Sequence, residues 1–83
     1  MAKSFDSSQQ EELAKWETGH GDNDILIGVY KYKGGEPKMG INKYYVDKNT
    51  GEVGITKAGR LSYDDVQFLE SILPKVIDVM AGI

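Results

Sequence analysis

Residues 24–61, DILIGVYKYKGGEPKMGINKYYVDKNTGEVGITKAGRL, decide the fold. From Ile25 onward the side chains alternate. Ile25, Ile27 and Val29 fall on one side of an extended chain, and Leu26, Gly28, Tyr30 and Tyr32 on the other. That period of two is the mark of a strand with one buried face. Gly34-Gly35 supply the positive φ of a hairpin turn, and Pro37 opens the next strand, where a missing N–H donor is tolerated. Lys38 to Val46 alternates again, with Met39 and Ile41 on one face and Lys38, Gly40, Asn42 and Tyr44 on the other. Asp47 to Gly51 (DKNTG) reads as a turn with glycine at the left-handed position. Val53 and Ile55 mark a further strand, and Ala58-Gly59 bends the chain. Gly28 and Gly40, both on the outer face, leave room for a close approach to the backbone, or else mark a bulge or strong twist.

A helix is predicted beyond this stretch, from about Tyr63 to Met80. Ser62 is a good N-cap, and Asp64 and Asp65 in the first turn suit the positive end of the helix. Val66, Leu69, Leu73, Val76, Ile77 and Met80 form one apolar stripe, and Phe68, Ile72 and Val79 form a second on an adjacent side. A helix on one small sheet needs a single stripe, so two stripes imply a partner. Phe68, Ile72, Val76 and Val79 are the candidate dimer contact. Pro74 removes the hydrogen bond to the Glu70 carbonyl and should kink the helix.

Before the stretch, Ser8-Gln9-Gln10-Glu11 matches a capping box, and a short helix to about Glu17 is predicted, with Leu13 and Trp16 as a thin apolar stripe. Thr18 to Asn23 (TGHGDN) reads as a linker. His20 lies there beside Asp22 and Asp24, but a metal site would need further ligands fixed in space, and a solvated loop explains it. The expected organisation is an N-terminal helix and linker over residues 1–23 and one domain over residues 24–83. The fold class is α+β: an antiparallel sheet of three to four strands followed by a C-terminal helix.

Eighty-three residues make one small domain, which buries only about 60–65% of its unfolded surface and gains from oligomerisation. Cysteine is absent, so there is no disulfide, thiolate metal site or thiol nucleophile. No apolar run approaches a membrane span, and MAKSFDSSQQ lacks the apolar core of a signal peptide. An intracellular setting, cytoplasmic or nucleoid-associated, is expected, with no membrane partner.

The net charge of −3 is unevenly spread. Residues 28–61 hold six lysines and Arg60 against Glu36, Asp47 and Glu52, a local net of +4, while the segments before and after are acidic. Local charge decides whether a phosphate backbone is attracted within a Debye length of about 8–10 Å.

Catalytic chemistry finds no purchase. The one histidine is in a loop, and no serine has nucleophile-elbow context. No carboxylate pair sits among apolar residues, and KGGEPKMG opens a hairpin rather than a helix, unlike a phosphate-binding loop. No cofactor is implied and no enzyme is expected. Single-stranded nucleic acids, in contrast, are held by basic grooves with aromatic faces on which bases stack. Tyr30, Lys31, Tyr32, Lys33, Lys38, Asn42, Lys43, Tyr44, Tyr45, Lys57 and Arg60 supply that combination and are the candidate binding residues. The same residues also suit a plain sheet, because tyrosine favours strands and lysine guards sheet edges.

Three runs within residues 30–78 carry a resemblance: YKYKGG, then KMGINKYYVD, then KAGRLSYDDVQFLESI. Together they resemble the positive cofactor four (transcriptional coactivator) family of single-stranded-DNA-binding domains. The resemblance implies a homodimer of the coactivator or whirly type, with the C-terminal helices in the dimer core and sheet surfaces facing single strands. It implies base stacking on Tyr32 and Tyr45 and a basic role for Lys57. Asn42 stands where the family usually has arginine, and Ala58 where it has a second lysine. The family also has a strand ahead of Ile25, where this sequence reads as helical.

The expected function is dimeric, largely sequence-independent binding of single-stranded DNA or RNA, in transcription, replication or repair. A non-enzymatic protein-interaction or dimerisation module is the alternative.

Overall fold

The computed structural model describes residues 10–33 and 35–82. Four strands and one helix follow in order: β1 (Gln10–Glu17), β2 (Ile25–Tyr32), β3 (Lys38–Val46), β4 (Val53–Lys57) and α1 (Tyr63–Ala81). The strands form one antiparallel sheet in the order β1-β2-β3-β4, so each pairs with its neighbours in sequence. The architecture is α+β, a four-stranded antiparallel sheet followed by a C-terminal helix.

The alternation in β2 works as read. Ile25, Ile27 and Val29 are wholly buried, with Ile27 opposite Ile41 and Val29 opposite Met39. Ile27 and Val29 meet Ile72 and Val76 of α1, and Leu13, Trp16, Met39, Ile41, Phe68, Leu69 and Val79 pack around them. The turn after β3 is also as read: the Gly51 N–H donates to the Asp47 carbonyl at 2.7 Å, and Gly51 is left-handed at φ 76°.

The predicted N-terminal helix is corrected. Its described part, Gln10 to Glu17, is strand β1, and Ser8 of the capping-box reading lies outside the described residues. The physical reason is a bulge. The register with β2 shifts between Glu12 and Ala14, so one extra residue enters β1. Leu13 and Trp16, three apart, would fall on opposite sides of a regular strand, but here both pack against the core. A spacing of three mimicked a helical stripe. Among the described residues the sheet therefore begins at Gln10, and residues 18–24 are the connection between two paired strands. Asp24 fastens that connection. Its carboxylate accepts from the Thr18 hydroxyl at 3.0 Å and the Gly21 N–H at 2.8 Å. The Thr18 hydroxyl oxygen in turn accepts from the Ile25 N–H at 3.0 Å.

Helix α1 starts as expected. Ser62 and Asp65 form a reciprocal capping box, the Ser62 hydroxyl accepting from the Asp65 N–H and the Asp65 carboxylate from the Ser62 N–H, each at 3.1 Å. It runs through Pro74 and ends on left-handed Gly82. Its two stripes divide differently from expectation: Leu69 and Val76 of the first stripe face the core as read, but the second stripe joins them there. Ile72 and Val76 are buried in the chain's own core, with Phe68 and Val79 packed beside them, so the candidate dimer residues face the sheet. Val66, Leu73, Ile77 and Met80 are the exposed stripe, Ile77 to 61%. Both stripes are apolar, so composition could not say which one the sheet would take. Among the described residues no helix is long and apolar enough to cross a membrane.

Candidate nucleic-acid interface

The candidate residues divide between two faces of the sheet. On the face away from α1, the cross-strand pairs Tyr30 with Lys38, Asn42 with Leu26 and Lys57, and Tyr44 with Ile55 bring Tyr30, Tyr32, Lys38, Asn42, Tyr44 and Lys57 together. Side chains alternate along a strand, so Lys31, Lys43 and Tyr45 lie on the helix side. Lys33 sits in the turn after β2 with φ 50°, and Arg60 lies between β4 and α1. No single face holds all eleven.

The outer face places its tyrosines differently from one another. The Tyr30 ring lies across Gly28 with its edge near Gly40, filling the space where a Cβ at Gly28 would stand. The two glycines thus make room for a side chain of the protein itself. Burial, followed by the nearby Glu12 carboxylate, raises the Tyr30 pKa. Tyr32 is 40% exposed at the end of β2, with the Lys33 ammonium 6.0 Å from its ring centroid. Asn42 donates its side-chain N–H to the Thr56 carbonyl at 3.2 Å, tying β3 to β4.

Tyr44 is buried and fully engaged. Its hydroxyl donates to the Glu17 carboxylate, reaching from β3 across β2 to the end of β1. The same carboxylate meets the His20 ring nitrogen at 3.0 Å, and the His20 ring stands edge-on to Tyr44 with centroids 5.2 Å apart. The hydrogen bond from Tyr44 is the main reason the Glu17 pKa is lowered. The same bond, followed by burial, pushes the Tyr44 hydroxyl up to about 12. The connection reinforces this corner: Asn23 N–H donates to the Tyr44 carbonyl, Tyr44 N–H to the Asp24 carbonyl, and Val46 N–H to the Asp22 carboxylate. Tyr44 is therefore a structural clasp rather than a stacking surface. Glu17 and His20, its partners, were missed in the sequence because the helical reading of β1 and the linker reading of the loop separated them from β3.

On the helix side, Tyr45 pairs with Gly54, and its ring end lies over that glycine, again where a Cβ would stand. The residue remains 46% exposed. Lys43, two residues back on the same face, donates from its ammonium to the Arg60 carbonyl at 2.7 Å, fastening the chain between β4 and α1. Helix α1 covers this side of β1 and β2 and leaves Tyr45 open. A tyrosine ring lying on a glycine, with a lysine alongside, presents a flat apolar surface next to positive charge. It can stack on a neutral planar ring whose attached anion meets the lysine.

No family model, no curated protein and no solved structure matches the chain.

Proposed function

We propose that the chain is a non-enzymatic, single-stranded nucleic-acid-binding protein of low sequence preference that works inside the cell as a homodimer. One observation carries the reading: each face of the sheet presents an exposed tyrosine beside a lysine, Tyr32 with Lys33 and Tyr45 with Lys43. Bases stack on such rings whatever their identity, and the lysines neutralise phosphate. The resemblance to the positive cofactor four family supports the same reading, and the order of four strands and a helix agrees with it.

The homodimer is supported by the exposed stripe of α1. Tyr63, Val66, Glu70, Leu73, Ile77 and Met80 follow one another at alternating steps of three and four, the spacing of a helix–helix seam, with Glu70 its one charged position. That stripe also favours a second reading, a protein-interaction module whose partner covers the helix.

Fluorescence anisotropy with a labelled oligothymidylate at two salt concentrations separates the readings. Nucleic-acid binding gives affinity that falls steeply with salt through counterion release. Tyr32→Ala and Tyr45→Ala should each cost about 1–3 kcal/mol of affinity. Unchanged affinity in both variants, with circular dichroism showing them folded, would falsify stacking and favour the interaction module.

A further inference from the structure

The two edges of the sheet are built differently. Edge strand β1 carries Glu11, Glu12, Lys15 and Glu17 and is bent by the bulge at Leu13, both devices that discourage another strand from pairing there. Edge strand β4 has no bulge, and its single charge, Lys57, is its last residue. Val53-Gly54-Ile55-Thr56 holds no charge, no proline and no register break against β3. Its outward apolar side chains stand in solvent, Val53 51% and Ile55 56% exposed, and among the described residues β4 pairs with β3 alone. Alternate residues of such a strand turn unpaired N–H and C=O groups to the open edge.

We propose that β4 pairs with β4 of a second copy, antiparallel and centred on Ile55, joining two sheets edge to edge. The strand is complementary to itself. Glu52 stands before it and Lys57 and Arg60 stand at its far end, so an antiparallel copy sets each acidic end beside the other's basic end. Centring on Ile55 keeps both outer faces on the same side of the joined sheet. It sets Ile55 opposite the second copy's Ile55 and Val53 opposite the second copy's Lys57, with no like charges opposed. Four exposed apolar side chains, Val53 and Ile55 from each copy, then form one patch on the outer face. This contact is separate from the helix stripe and stands without the nucleic-acid reading, because it is measured with no oligonucleotide present.

The chain has no cysteine, so a single introduced thiol reports this geometry. Directly opposed residues of an antiparallel pair lie about 4.5–5.5 Å apart at Cα, within reach of a disulfide. In an Ile77→Glu background, which disables the helix stripe, sedimentation at micromolar concentration should still show a dimer, and adding Ile55→Lys should abolish it. In the same background Ile55→Cys should crosslink under mild oxidation much faster than Glu11→Cys on the guarded edge. In the unmodified chain, amide exchange in β4 should slow as concentration rises, a readout that needs no variant. The proposal is overturned if β4 exchange is independent of concentration and the folded Ile77→Glu chain is a monomer, or if Ile55→Cys crosslinks no faster than Glu11→Cys.

Discussion

Tyr44 and Glu17 show what a single side-chain pair does here. The hydroxyl of one and the carboxylate of the other tie β3 to the end of β1 across the strand between them. Tyr44→Phe should therefore lower stability by about 1–3 kcal/mol, the cost of removing a hydrogen bond to a charged group. The pair also sets a pH dependence. Folded Tyr44 keeps its proton up to about 12, whereas an unfolded tyrosine releases it near 10. Its contribution is complete below 10 and fades as pH rises from 10 to 12. Glu17 is lowered, so its contribution is present above the ordinary carboxylate range and is lost as acid titrates the folded carboxylate. Thermal melts across pH should show alkaline destabilisation that Tyr44→Phe blunts and acid destabilisation that Glu17→Gln blunts. Gly54 makes a second case. Gly54→Ala places a Cβ where the Tyr45 ring lies and must lift it off the sheet. If that ring is a stacking platform, the variant should lose oligonucleotide affinity much as Tyr45→Ala does, and equal affinity for Gly54→Ala and the unmodified chain would remove Tyr45 from the interface.

At the scale of elements, the burial on α1 separates two substitutions that its sequence makes look alike. Ile72 lies in the core, so Ile72→Glu should unfold the chain, and Ile27→Ala should cost about 2–5 kcal/mol by leaving a cavity. Ile77 is solvent-facing, so Ile77→Glu should stay folded by circular dichroism while losing any helix-mediated association. Strands β2 to β4 and the N-cap of α1 were legible because alternation and capping are local signals. β1 was not, because a bulge turns a strand's spacing into a helix's. The buried side of α1 was not, because the choice depends on where the helix crosses the sheet. The division of Tyr44 and Tyr45 between the faces was legible in principle, since adjacent residues of a strand must point opposite ways. That parity was outweighed by reading the aromatic and basic residues as one surface.

For the whole molecule, the charge layout matters more than its sum. At β1 the outer face carries Glu12 and Glu17 with Lys15, whose ammonium is 4.0 Å from Glu17, and at β3 and β4 it carries Lys38 and Lys57. A polyanion crossing that face is drawn toward β3 and β4. Lys57→Ala should weaken binding about equally for all sequences and reduce the salt slope by about one charge. Duplex DNA should bind much less well than single strands in the same titration, because its bases are already stacked. Equal affinity for the two forms would point to phosphate attraction without stacking.

The meander order has a consequence for how the chain matures. Every strand pairs with the one made just before it, so the sheet can zip up hairpin by hairpin with little loop closure, which favours rapid folding. The segment that shields Ile27 and Val29, however, is synthesised after all four strands. Without residues 63–81 the completed sheet would leave Ile27 and Val29 facing water. A chain cut after Ser62 should therefore clump or hold on to chaperones through that face, and restoring residues 63–81 should stop it.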